Sequence, residues 1–341
     1  MATKRVLTGM RTTGQLHLGH YVGALKQWIE TQNSGEYDCY FLLADIQALT
    51  THADRPELLT QSVRDVVLDW LSVGLDPARA DVHYVLQSQV AERHELSLLL
   101  AMIAKYNELL RNPTLKAEMK EIKDVTLGFI CYPVDQVADI YMVSPTPPSR
   151  GDKLLVPVGE DQVPHLEYAR ELARRFNDKY GEVFVPCEAL VGEVGRLVGI
   201  DGQAKMSKSL NNAIYLADDA ETVKAKVMKM FTDPKRIRAD IPGETKNNPV
   251  FIYHRAFNPD KQEVAELTER YEKGKVGDIE VKEKLAKVLN NFLDPIREMR
   301  AHYDNTAEVR DIVIAGSEAA RKMCQPVIES VREKMHLVYP L

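Results

Sequence analysis

Apolar positions recur with two different periods, and the two alternate through the first two-thirds of the chain. Residues 38-DCYFLLAD-45 form a short aromatic and aliphatic run closing on a carboxylate, the pattern of a buried parallel strand with a polar C-terminal end. From 54 to 77 the period lengthens. Leu58, Leu59, Val63, Val66, Val67, Trp70 and Leu71 fall on one helical side, with Asp54 placed to cap the start and Gly74 and Pro77 to end it. A second strand is predicted at 81-DVHYVLQS-88 and a further helix at 92-ERHELSLLLAMIAKYNELL-110. Strands alternating with helices predict an α/β fold with a doubly wound parallel sheet. Beyond about residue 218 strand-like runs nearly vanish, and 219–231, 261–274, 279–303 and 307–335 read as helices, a C-terminal α-helical domain.

Near the N-terminus a short apolar run, 5-RVL-7, leads into 14-GQLHLGHYVGAL-25, where Val22, Leu25 and Ile29 take up helical spacing. His20 is therefore placed near a helix N-terminus. In 144-SPTPPSRGDK-153, three prolines and a glycine mark a surface loop.

Composition narrows the class. With 341 residues, 45% of them hydrophobic and 28% charged, the chain is long enough for two domains and can bury a large core. It contains no run of membrane-spanning length, and 1-MATKRVLTGM-10 lacks the apolar centre of a signal peptide, so a cytoplasmic protein without membrane contact is expected. Cys39, Cys131, Cys187 and Cys324 are scattered with no C-x-x-C pair, which suggests reduced thiols, mostly buried, rather than a zinc site or disulfide framework. No metal ligand is assigned. The net charge of -6 argues against a generally basic surface but leaves local patches open. The segment 224–238 sets Lys224, Lys226, Lys229, Lys235, Arg236 and Arg238 against Asp233, and is expected to be a solvated helix face and loop.

Two short phrases carry chemistry. In H-x-G-H, His17 and His20 project from one side of a helix start, where both can donate to a phosphate, and Gly19 removes a side chain where a flat base would approach. Alone, the pair fits two structural histidines equally well. The second phrase, 205-KMSKS-209, offers two flexible cations, Lys205 and Lys208, around the hydroxyls of Ser207 and Ser209, suited to a mobile loop that clamps a polyphosphate. Together the phrases resemble the two signatures of the class I aminoacyl-tRNA synthetases.

The segments 8-TGMRTTGQLHLGHYVGAL-25, 131-CYPVDQVADI-140 and 156-VPVGEDQVPHLEYARELARRFN-177 are similar to those of tryptophanyl-tRNA synthetases, along essentially the whole chain. The tyrosine-specific relatives share fold and signatures but differ around the D-Q pair. The resemblance implies a Rossmann-like catalytic domain over 1–217 and an anticodon-binding helical domain over 218–341, its last helix packing back on the first. It implies activation of L-tryptophan by ATP with Mg²⁺, transfer to the 3′ end of tRNA(Trp), and a homodimer.

Carried over by residue, His17, His20, Lys205, Ser207 and Lys208 are catalytic. Arg11, Thr12, Thr13, Gly19, Gly159, Glu160, Asp161, Leu197, Met206 and Ser209 join His20 and the signature lysines and serine around ATP, with Leu197 packing on the base. Leu7, Gln47, Tyr132, Asp139 and Gln162 surround tryptophan. Asp139 accepts from the indole N–H, and Tyr132 and Gln162 hold the α-amino end. The physics agrees, since a buried acceptor in an apolar pocket is left unpaired by phenylalanine; taken without the resemblance, Asp139 reads as a helix cap or surface carboxylate.

Three residues depart from the family pattern: Gln47 where many members carry histidine, Arg11 where many carry glutamine, and His20 where many carry asparagine. With the 144–153 loop as an insertion, they suggest a divergent, auxiliary bacterial form. A small-molecule H-x-G-H nucleotidyltransferase would not need the helical domain or the full K-M-S-K-S phrase, and a non-catalytic paralogue would not need intact His17, His20, Lys205 and Lys208.

Overall fold

The run at 38–45 is strand β2 (Asp38–Ala44), joined in one wholly parallel sheet by β1 (Lys4–Arg11), β3 (Val82–Leu86), β4 (Lys153–Val158) and β5 (Cys187–Val191), in the order β3-β2-β1-β4-β5. The computed structural model describes residues 3–120, 122–159, 162–191, 197–208, 210–233, 236, 238–304 and 306–339. Side chains alternate across the sheet. Val6, Phe41 and Leu43 enter one core, while Leu7, Tyr40, Leu42 and Ala44 enter the other.

Helices cover both faces. In chain order they are α1 (Leu18–His20), continued by a π-helical turn over Tyr21–Leu25 into α2 (Lys26–Asn33), then α3 (Asp45–His52), α4 (Glu57–Ser72), α5 (Ala91–Ala101), α6 (Tyr106–Leu109) and α7 (Pro113–Met119). They continue with α8 (Leu127–Tyr141), α9 (Val163–Tyr180), α10 (Ala220–Met228), α11 (Pro249–Phe257), α12 (Lys261–Glu272), α13 (Asp278–Asp304) and α14 (Glu308–Lys334).

Three expectations need correction. The helix expected to be capped by Asp54 starts at Glu57, behind Pro56, whose ring presets a helical φ of -65°; Leu58, placed on its buried side, is 43% exposed. The helix expected through residue 110 stops at Ala101 and resumes only as the short α6; in the turn between them Arg175 Nη1 donates to Ile103 O at 3.1 Å, a backbone bond that a continuous helix would have made internally. Thirdly, the basic segment at 224–238 is only in part the solvated face expected: Lys224, Lys229 and Arg238 are exposed, but two other cations are tied into the fold. Arg236 is buried, pairs with Asp278 at 2.7 Å and stacks its guanidinium 3.8 Å from the Tyr271 ring centre, and Lys226 pairs with Asp218 at 2.6 Å. Lys235 lies outside the described residues.

Helix α14 returns to the sheet and covers its β3 edge. A Cβ on Gly316 would lie 2.2 Å from Tyr84 O, so only glycine lets helix and strand backbones meet, and Ser317 Oγ accepts from the otherwise open Leu86 N–H at 3.0 Å. The four cysteines are free thiols, three of them buried. Among the described residues no helix is long and apolar enough to cross a membrane.

The sheet also positions the site. The β1–β2 ladder runs to Arg11 and Ala44, but the β1–β4 ladder ends at Val6 and Leu155. Past that point the two strands part toward their C-terminal ends. This is where the strand order reverses, the switch point at which parallel sheets bind ligands.

Candidate active site

The first signature lies just past Arg11, the last residue of β1 and part of the crevice wall. His17 is extended (φ -121°, ψ 170°) and opens α1, anchored by the buried Leu16 and Leu18 on either side. The His17 and His20 rings lie 3.8 Å apart between centres. His20 Nδ1 accepts from the His17 backbone N–H at 3.1 Å, which leaves the proton on Nε2, free to donate. Burial, helped by the nearby ammonium groups of Lys208 and Lys205, pushes His17 down to about 4. Burial and the neighbouring His17 push His20 down as well. Both rings are therefore neutral donors at pH 7 rather than cations.

The second signature docks against the first. Residues 214–216 run beside the H-x-G-H turn, with Leu18 N donating to Ile214 O at 2.9 Å and Leu216 N to Leu16 O at 3.0 Å. Asn212 shapes the loop, accepting from Ser207 N at 2.8 Å and donating to Asp201 at 3.0 Å. Lys208 Nζ reaches back to Gly14 O at 2.7 Å and Thr13 O at 3.3 Å, while Lys205 is exposed. Burial brings Lys208 down to about 8. Ser209 lies outside the described residues.

Gly19 is closely packed by both signatures. Its N–H points at Met206 Sδ, 3.3 Å away, and a Cβ there would lie 2.9 Å from His17 Nδ1 and 3.4 Å from Met206 Cβ. The missing side chain makes room for the His17 ring, with Met206 of the other signature loop in contact beside it. Gly19→Ala is expected to cost about 1–3 kcal/mol at this contact, read as a rise in KM for ATP of tenfold or more with KM for tryptophan unchanged.

Leu7, Gln47, Tyr132, Asp139 and Gln162 share the wall of the crevice with Arg11 and Gly159. Thr12 turns inward, fully buried, and Leu197 is buried beneath the loop with its carbonyl accepting from Met206 N at 3.1 Å. Glu160 and Asp161 lie outside the described residues. Asp139 is neither a cap nor a surface carboxylate, being 3% exposed in the interior of α8. With Tyr132 and Gln136 it forms one helical face at i, i+4 and i+7, turned into the crevice.

Sequence reasoning missed the groups that hold these residues. Gln87 Nε2 donates to both Asp139 oxygens, at 3.0 and 2.9 Å, and Arg93 Nε donates to Oδ1 at 2.6 Å. A carboxylate accepts about four such bonds, so Oδ2 keeps a lone pair. Burial raises the Asp139 pKa, and the Arg93 guanidinium opposes that rise. The Tyr132 hydroxyl donates to Glu118 at 2.8 Å and lies 3.2 Å from His165 Nε2. Gln136 Oε1 is buried without a partner among the described residues. One signal was available: Arg93 falls in the same helical stripe as the buried Leu96 and Leu100. Gln87 and Glu118 carried none.

A parallel sheet with a crevice at its switch point, its first strand leading into an H-x-G-H turn on which the K-M-S-K-S loop docks, defines a class I aminoacyl-tRNA synthetase. The family model for tRNA synthetases class I (W and Y) matches residues 2–294, and the chain belongs to that family. It is 46% identical to the tryptophan–tRNA ligase of Treponema pallidum, over 98% of this chain and 97% of that one, and 44% identical to that of Chlamydia caviae, over 97% and 94%. The structure of tryptophanyl-tRNA synthetase from Campylobacter jejuni complexed with ADP and tryptophan is similar with a TM-score of 0.84 and 32% identity, covering 97% of this chain and 99% of that one. Within the family the chain stands with the tryptophan–tRNA ligases, which are ATP-dependent aminoacyl-tRNA ligases.

Proposed function

We propose that this crevice joins L-tryptophan to ATP, giving tryptophanyl-adenylate and pyrophosphate, and then passes tryptophan to the 3′ end of tRNA(Trp). The observation that carries this assignment is Asp139, a buried carboxylate with one lone pair unclaimed among the described residues, in the wall of a crevice that reaches Arg11 at the end of β1. An indole N–H fills that lone pair, and a phenylalanine ring would leave it unpaired. Leu7 and Gln47 bound the ring. Glu118, Tyr132 and Gln162 form a polar corner suited to the α-ammonium.

In the first step the tryptophan carboxylate attacks the α-phosphorus in line, forming the mixed anhydride bond as the bond to pyrophosphate breaks. The protein contributes positioning and charge stabilisation. His17 and His20 donate to the phosphates as neutral rings, and Lys205, Ser207 and Lys208 follow the charge onto the leaving pyrophosphate. Arg11, Thr13 and Gly159 line the approach of the nucleotide. Among the described residues no group of three His, Cys, Asp or Glu side chains can hold a metal ion. Mg²⁺ is accordingly assigned to the ATP phosphates, as part of the substrate, with no step routed through it. In the second step a ribose hydroxyl at the tRNA end attacks the adenylate carbonyl and AMP leaves.

The helical segment beyond residue 218 is assigned to the anticodon. A homodimer is the proposed state, supported by the exposed Leu98, Met102, Tyr106 and Leu127, and sedimentation at micromolar concentration reads it. The cytoplasm suits four free thiols.

The test is exchange of labelled pyrophosphate into ATP with tryptophan, with tyrosine and with no amino acid. Exchange with tryptophan alone is expected. Exchange with tyrosine at an equal rate would overturn the assignment of Asp139, and no exchange at all would overturn adenylate formation.

A further inference from the structure

The H-x-G-H turn is also held by a group with no place in the reaction described above. Asp69, on α4, is fully buried, and its Oδ2 accepts from the backbone N–H of Leu16, the residue before His17, at 2.7 Å. Its Oδ1 is paired with Arg300 Nη1. Arg300 belongs to α13, in the helical segment, and its second nitrogen bonds Asp65 Oδ1 at 2.8 Å. Leu16 thus sits between two distant parts of the chain, donating to Asp69 and accepting from Leu216.

We infer that Arg300 is a positioning residue for the ATP site, acting through Asp69 on the Leu16–His17 peptide. The inference rests on the reading that His17 and His20 hold the ATP phosphates. A guanidinium forks to two carboxylates at once, so Arg300 fixes both the direction and the ionisation of Asp69. The Asp69 pKa is raised to about 7, burial being the largest cause; Arg300 is the main opposing influence, followed by the Leu16 N–H, while Asp65 raises it and Lys208 lowers it. Without the guanidinium Asp69 moves further up and keeps its proton at neutral pH, and its hold on the Leu16 N–H weakens because a neutral carboxyl is a poorer acceptor. The placement of α13 is thereby felt at the first signature, through one side chain and one hydrogen bond.

The experiment is steady-state pyrophosphate exchange with Arg300→Lys, Arg300→Leu, Asp69→Asn and the double variant Arg300→Leu/Asp69→Asn. Arg300→Leu is expected to raise KM for ATP about tenfold, equivalent to about 1.4 kcal/mol, with KM for tryptophan within about twofold. Arg300→Lys is expected to recover most of the loss, and the double variant to be no worse than the worse single one, because both act on one contact. Amide hydrogen exchange across residues 12–20 should accelerate in step with KM for ATP. If the Leu and Asn variants do not fold, Arg300→Lys decides. One ammonium cannot fork to Asp65 and Asp69 as the guanidinium does, so KM for ATP must rise a few-fold, and an unchanged value overturns the inference. Equal rises in both KM values also overturn it. A parent enzyme without tryptophan-dependent exchange overturns instead the reading on which the inference rests.

Discussion

Lys208→Ala should slow tryptophan-dependent pyrophosphate exchange by about 10²–10³-fold, while KM for tryptophan stays within about twofold. Lys208 has left water, its Nζ resting on the carbonyls of Gly14 and Thr13 at the edge of the crevice. An ammonium already desolvated and aimed needs little reorganisation when charge builds on departing pyrophosphate. The residues proposed to hold tryptophan line the crevice wall along α8, and Lys208 is not among them. The same burial sets a pH limb. Lys208 titrates at about 8, below the usual lysine range, so the group is charged below that value and loses its proton above it. In the parent, kcat/KM for ATP should therefore fall as pH rises through about 8. That limb should vanish in Lys208→Ala and move upward in Lys208→Arg. A turnover within threefold of the parent would remove Lys208 from the mechanism.

Arg93→Met should destabilise the fold by about 3–5 kcal/mol, the usual cost of stripping one partner from a buried ion pair. The Arg93 side chain is fully buried, bonded to Asp139 at 2.6 Å and to Asp135 at 2.5 Å. Removing it leaves Asp139 charged and enclosed, or forces it to take up a proton and become a poorer acceptor for the indole N–H. Urea denaturation reads the first effect and KM for tryptophan the second. Adding Asp139→Leu should restore much of the stability, since the uncompensated charge is gone, but not the activity. A single variant within 1 kcal/mol of the parent would mean that solvent reaches this carboxylate.

Much of the fold was legible because one side chain in two or four must be apolar wherever a strand or helix meets a core. That is why β2, β3, α4 and the long helices α12, α13 and α14 stand near their expected positions. Where the period persists but the covering surface does not, the reading failed, as at Leu58 and at the end of α5. Helix α3 left no periodic trace, being too short to show one, and the spacing of Val22, Leu25 and Ile29 showed a helix after His20 but not its π-helical turn. The basic segment misled for another reason. Lysine and arginine look solvated in any sequence, and only the approach of Asp278 and Tyr271 shows Arg236 to be a core residue.

The site divides in the same way. The residue types and the two signature phrases already specify phosphate chemistry, because two imidazoles at a helix start beside a glycine and a lysine–serine loop are local patterns. The chain order alone specifies parallel strands and so a switch point. Tertiary structure decided the rest. It set the two signatures against each other through Lys208 and residues 214–216, and it left both imidazoles uncharged by taking them out of water. It also filled three of the acceptor positions on Asp139 from Gln87 and Arg93, leaving one. Charge state and free valence depend on desolvation and on partners far along the chain, and no local pattern of residues encodes either.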